Sequence, residues 1–101
     1  MVAEYIAECF WPGVKEADLE ALDGRARRCA AATAGTPEEV RYSGSTLVPE
    51  DEVVLCFFGA PSEGAVRTVA ERAGIPFARI VESTSVPAMA QSPEQPNEVK
   101  R

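Results

Sequence analysis

The chain has 101 residues, 46% of them hydrophobic, with ten Lys and Arg against sixteen Asp and Glu and no histidine, giving a net charge of −6. That length suits one domain around one hydrophobic core, and the apolar fraction is that of a globular protein. An acidic chain lacks the basic stripe that displaces counterions from phosphates, so nucleic acid is not an expected partner. No run approaches the ~18 apolar residues of a membrane span, so neither is a membrane.

The first stretch, "MVAEYIAECFWPG", carries Glu4 and Glu8 and lacks the basic start and long apolar run of a signal peptide. The three cysteines, Cys9, Cys29 and Cys56, form no CxxC pair and each lies in an apolar stretch. They are expected to be reduced, buried thiols in a cytoplasmic protein. Residues 2–10 read as a strand, because apolar and small residues alternate with Glu4, Ile6, Glu8 and Phe10. Pro12 and Gly13 end it. From Glu16 to Ala34 the period is helical, with Leu19, Leu22, Ala26, Cys29, Ala30 and Thr33 on one stripe. Gly35 is the expected C-cap, and Pro37 forbids continuation. Gly24 sits inside this helix at a cost of about 1 kcal/mol against alanine, and close packing on a strand would account for it. The basic run "RARR" at 25–28 reads as the helix's solvated face.

Residues 40–48 read as a second strand in which Gly44 marks a bulge. "PED" at 49–51 is a turn that makes the next run the other arm of a hairpin. That run, "VVLCFF" from Val53 to Phe58, is apolar at six consecutive positions. "GAPSEGAVRTVAERAG" is the second helix, opened by Pro61 and Ser62, with Ala65, Val66, Val69, Ala70 and Ala73 as its stripe and Gly74 as its end. Residues 77–83 form the last strand. The Pro-, Gln-, Ser- and Glu-rich remainder reads as a disordered tail. The organisation is therefore one domain over 1–85 and a tail over 86–101.

The order β-α-β-β-α-β is the α+β, ferredoxin-like arrangement, a four-stranded antiparallel sheet with two helices on one face. Helices cover one side of "VVLCFF" only. A strand apolar on both sides demands a cover on both, and a large exposed apolar face marks an interface. The simplest cover is the same face of a second copy, a homodimer of the α+β barrel type.

The run "EDEVVLCFFGAPSEGAVRTVAERAGIPFARIVES" resembles small bacterial ferredoxin-like proteins of unknown function related to a nickel-responsive, nickel-binding protein. The resemblance spans roughly residues 2–84. Its most specific parts are the aromatic-flanked Cys56, the "APSE" that opens the second helix and the "AERAGIP" that closes it. It implies a dimeric α+β barrel, a superfamily of small-molecule oxygenases, isomerases and binding proteins. It also implies nickel held by imidazoles. This chain has no imidazole and reads "YSGSTL" where relatives place a histidine in the second strand. Glu4, Glu8, Glu82 and the cysteines are the remaining donors, unclustered by spacing, and no tight nickel site is expected from them.

Alternation puts Glu4 and Glu8 on the face away from the helices, toward the interior of the expected dimer. Buried carboxylates need partners, and Arg41, Arg79 or Tyr42 on flanking strands can supply them. A ligand pocket drawn from Glu4, Glu8, Tyr42, Arg79 and Glu82 is the functional reading; rim ion pairs or exposed strand ends are the plainer one. Tyr5, Trp11 and Tyr42 read more simply as core aromatics, and Cys56 as an inert core thiol with no histidine base. A small homodimeric protein binding a small molecule in its interior is the expected function. The alternative is a cofactor-independent isomerase, cyclase or oxygenase using Glu8 or Glu82 as acid and base.

Overall fold

The computed structural model describes residues 2–86. Apart from Val86, the expected tail lies outside the described residues. Strand β1 (Ala3–Phe10) is followed by helix α1 (Glu16–Ala31) and the hairpin of β2 (Arg41–Val48) and β3 (Val53–Ala60). Helix α2 (Glu63–Arg72) then leads into β4 (Arg79–Ser83). The four strands form one antiparallel sheet in the order β2-β3-β1-β4, the ferredoxin-like arrangement.

One face of this sheet packs under both helices. Tyr5, Ala7 and Cys9 of β1, Val54, Cys56 and Phe58 of β3, and Ile80 of β4 are buried in one cluster with Leu22 and Ala26 of α1 and Val66 and Val69 of α2. The small Ala7 is fully buried and lets helix side chains reach the sheet closely. Along β3, buried and half-buried residues alternate without exception. The six-residue apolar run is thus half core and half open sheet face, and no element of the described residues packs on its second side.

The local signals explain most boundaries. Ser62 Oγ accepts the Ala65 amide at 3.2 Å and caps α2. At the other end Gly74, at φ +71°, closes a paired cap in which its amide donates to Glu71 at 3.1 Å and the Ile75 amide donates to Ala70 at 3.0 Å. The backbone amide of Lys15 donates to Asp18 at 2.9 Å and starts α1.

Helix α1 ends at Ala31, short of the expected Ala34. The Thr33 hydroxyl donates to the Ala30 carbonyl at 2.6 Å and accepts the Val40 amide at 2.8 Å, tying the chain to the start of β2 instead of into another turn. The bulge expected at Gly44 is present. Tyr42 pairs with Phe58 and Gly44 with the adjacent Phe57, so Ser43 is the extra residue and Gly44 stands at φ +120°.

Candidate functional site

The open sheet face follows from the register. On β1, Glu4 stands between Gly59 and Ser83, Ile6 between Phe57 and Val81, and Glu8 between Leu55 and Arg79. Directly paired residues of an antiparallel ladder point to the same side. The middle of the face is therefore the apolar group Ile6, Leu55, Phe57 and Val81, all half-buried, with a β1 carboxylate at each end. At one end Glu8 is gripped by Arg79, whose Nε donates to Oε1 at 2.7 Å and whose second terminal nitrogen donates to Oε2 at 3.4 Å. This forked pair is the strongest geometry open to a carboxylate and a guanidinium. The Glu8 hydrogen bond, and then its charge, hold the Arg79 guanidinium above its ordinary pKa. The Arg79 side chain is still 68% exposed and that of Glu8 32%, so the pair marks the rim of the face.

At the other end the face opens into a cleft of ≈ 540 Å³ lined by Glu4, Ile6, Arg41, Ser43, Phe57, Gly59 and Ser83 of the sheet and by Ser85 just after β4. Ser85 Oγ donates to Glu4 Oε1 at 2.9 Å. Arg41 pairs with Gly59 from the far side, so glycine separates a carboxylate from a guanidinium across three strands. Arg41 Nε lies 3.8 Å from Glu39 Oε2, and its side chain is 79% exposed.

The register thus brings Glu4, Glu8 and Arg79 to the open face and takes two other expected ligand residues away from it. Tyr42 pairs with the buried Phe58, their ring centroids 5.2 Å apart, and points under α1. Glu82 pairs with the buried Tyr5, on the helix-bearing side of the sheet, where it is exposed. Neither lines the open face, because the bulge at Ser43 and the parity of β4 set their direction. Tyr5 belongs to the core cluster, and Trp11 is a half-buried residue packed against that cluster.

Asp23 on α1 is the polar residue that strand-by-strand reading misses. Its Oδ1 accepts hydrogen bonds from the Tyr42 hydroxyl and from Ser45 Oγ, the latter at 2.9 Å. Burial first, and the bond to Asp23 second, push the Tyr42 hydroxyl's pKa upward. Leu19, Leu22, Asp23 and Ala26 occupy the i, i+3, i+4 and i+7 positions of one helical stripe, and a carboxylate there signals a buried partner. Arg25 likewise leaves the solvated face expected of it. Its Nε donates to the Ala73 carbonyl at 2.7 Å, tying α1 to the end of α2.

Beneath the helices Cys9 and Cys56 are both fully buried in the core cluster. The neighbouring Cys9, and then burial, push the Cys56 thiol upward, and with no exposed surface Cys56 packs as a core residue. Nickel(II) takes nitrogen, oxygen or thiolate donors converging on one point. With no histidine in the chain and no group of three His, Cys, Asp or Glu among the described residues, the donor set does not fit a nickel centre. Glu8 is occupied by Arg79, Asp23 by Tyr42 and Ser45, and the two cysteines lie on the other side of the sheet from Glu4 and Glu8.

Two comparisons place this geometry among known proteins. The family described as "Nickel responsive protein SCO4226-like" matches residues 5–82. The crystal structure of SCO4226 from Streptomyces coelicolor A3(2) is similar at a TM-score of 0.59 and 26% sequence identity, covering 87% of this chain and 100% of that one. No curated protein matches.

Proposed function

The chain belongs to the SCO4226-like family, and from that footing we propose that it acts as a homodimeric small-molecule-binding protein whose two open sheet faces close on each other. The reading rests on one observation: the apolar group Ile6, Leu55, Phe57 and Val81 forms the centre of a sheet face that no described element covers. Leaving such a face in water forgoes about 25 cal/mol for each Å² that a partner would bury. A second copy offers an identical face, and twofold pairing is the commonest self-association. The forked Glu8–Arg79 pair at one end of the face is the rim that aligns two facing sheets. The cleft beside Glu4 supplies the space for a ligand.

The working compartment in this proposal is the cytoplasm, where the three free cysteines stay reduced. Among the described residues no helix is long and apolar enough to cross a membrane. Nickel is left to the relatives whose names carry it, because this chain's donors do not converge. Acid–base catalysis by Glu8 or Glu82 finds no support either: Glu8 has both oxygens on Arg79, and Glu82 is turned to the other side of the sheet.

Multi-angle light scattering on the size-exclusion peak tests the assembly. The expected mass is twice the 10.8 kDa of one chain. A single-chain mass at micromolar concentration overturns the proposal.

A further inference from the structure

The end of the open face near Glu4 is built differently from the end near Glu8. At the Glu8 end carboxylate and guanidinium are on adjacent strands and satisfy each other. At the Glu4 end, Gly59 of β3 stands between Glu4 of β1 and Arg41 of β2. Two strand spacings hold their backbones about 10 Å apart, and the position between them has no side chain. A Cβ at Gly59 would enter this space in ordinary contact with Val2 Cγ1 at 3.5 Å, so nothing in the backbone demands glycine there. What its absence of a side chain provides is room. Ile6 and Phe57 form the adjoining apolar floor.

The charges that flank this gap are under-partnered among the described residues. Glu4 accepts one hydroxyl hydrogen bond, from Ser85. Arg41 has Glu39 at a loose 3.8 Å. In water that is harmless. Once a second copy covers the face, each charge loses solvent and needs a counter-charge. A neutral apolar ligand would leave both unpaired, and a ligand of one sign would leave one.

We infer that the cleft binds a zwitterionic α-amino acid with an aromatic or large aliphatic side chain, its ammonium on Glu4, its carboxylate on Arg41 and its side chain on Ile6 and Phe57. The guanidinium fork suits a carboxylate, the free Glu4 oxygen accepts N–H donors, and the gap over Gly59 takes the ligand's Cα. This deepens the proposed function, since it rests on the covered face that makes the charges need a ligand.

Calorimetric titration of the full chain with L-phenylalanine, 3-phenylpropionate and 2-phenylethylamine tests it. The two analogues keep the ring and lose the ammonium or the carboxylate respectively. L-phenylalanine is expected to bind, with each analogue weaker by about tenfold or more, the worth of one charge-assisted hydrogen bond. Glu4→Gln should erase the preference over 3-phenylpropionate alone, and Arg41→Gln the preference over 2-phenylethylamine alone. Gly59→Val should abolish binding without changing either charge. Equal affinity for all three compounds, or no L-phenylalanine binding at millimolar concentration, overturns the inference. So does conversion of a dimer to a monomer by Glu4→Gln and Arg41→Gln, which would assign the two charges to each other across the interface. A dimeric protein that ignores L-phenylalanine leaves the proposed assembly standing and removes only this ligand. A monomer that binds it with the expected selectivity does the reverse.

Discussion

The half-buried hydrogen bonds on Asp23 show how one side chain joins a helix to a sheet edge. Tyr42 and Ser45 lie on β2, the outer strand of the hairpin, and both donate to one α1 carboxylate oxygen. Tyr42→Phe removes one donor and leaves Asp23 with the other. It is expected to cost about 1.5–3 kcal/mol, the worth of a hydrogen bond to a charged acceptor. Asp23→Ala strands both hydroxyls and should cost more. Urea denaturation of the two single variants and the double variant measures the coupling. Additive losses would mean that the Tyr42–Asp23 bond carries no stability of its own. Sequence reading reached Tyr42 as a core aromatic but also offered it as an interior ligand, because a strand pattern with a bulge loses its parity at Ser43. Asp23 was legible only by its position on the Leu19–Ala26 stripe, where a carboxylate disturbs an otherwise apolar pattern.

At the scale of elements, two glycines separate what local chemistry dictates from what it merely tolerates. Gly44 has φ +120° at the bulge, with nothing within 4 Å of a Cβ placed there. The obstacle to a side chain is backbone conformation, not space, and Gly44→Ala should destabilise the protein by about 1–2 kcal/mol. Gly24 lies inside α1, and a Cβ there would meet only the end of the Arg28 side chain at 3.4 Å. Packing against a strand, the reason offered by the sequence, is not why glycine stands there. Gly24→Ala should stabilise by about 1 kcal/mol, since the flexible Arg28 tip can give way. Opposite shifts in thermal melting test the pair together, and a stabilising Gly44→Ala would refute the strain at the bulge. The contrast between the helices has the same root. Ser62 and Gly74 are backbone-capping residues in α2, so both its ends were readable. Helix α1 stops where Thr33 bonds to Val40, a contact set by the start of another strand and invisible to a helical pattern.

At the scale of the molecule, the sheet's two apolar faces are the feature that links fold to function. The β-α-β-β-α-β order was legible because each strand and helix carries its own punctuation, and the central place of β1 follows from that order. Which residues point outward was legible only where parity is unbroken: Glu4 and Glu8 on β1, but not Tyr42 beyond a bulge or Glu82 on a short edge strand. For β3 the register settles the matter. Leu55 pairs with Glu8 on the open face, and the neighbouring Cys56 pairs with Ala7 beneath the helices. A charge at Leu55 should therefore act on assembly, and a charge at Cys56 on folding. Leu55→Glu places a carboxylate in the centre of the expected interface while leaving the core under the helices intact. Its expected outcome is a folded monomer with a far-ultraviolet circular dichroism spectrum like that of the parent. Cys56→Asp buries an unpaired carboxylate among Val54, Phe58 and Ala7, at a cost large enough to unfold a domain of this size. Light scattering and dichroism on the two variants side by side separate the faces. A Leu55→Glu protein that remains dimeric would move the interface elsewhere on the surface and leave the apolar face without its proposed partner.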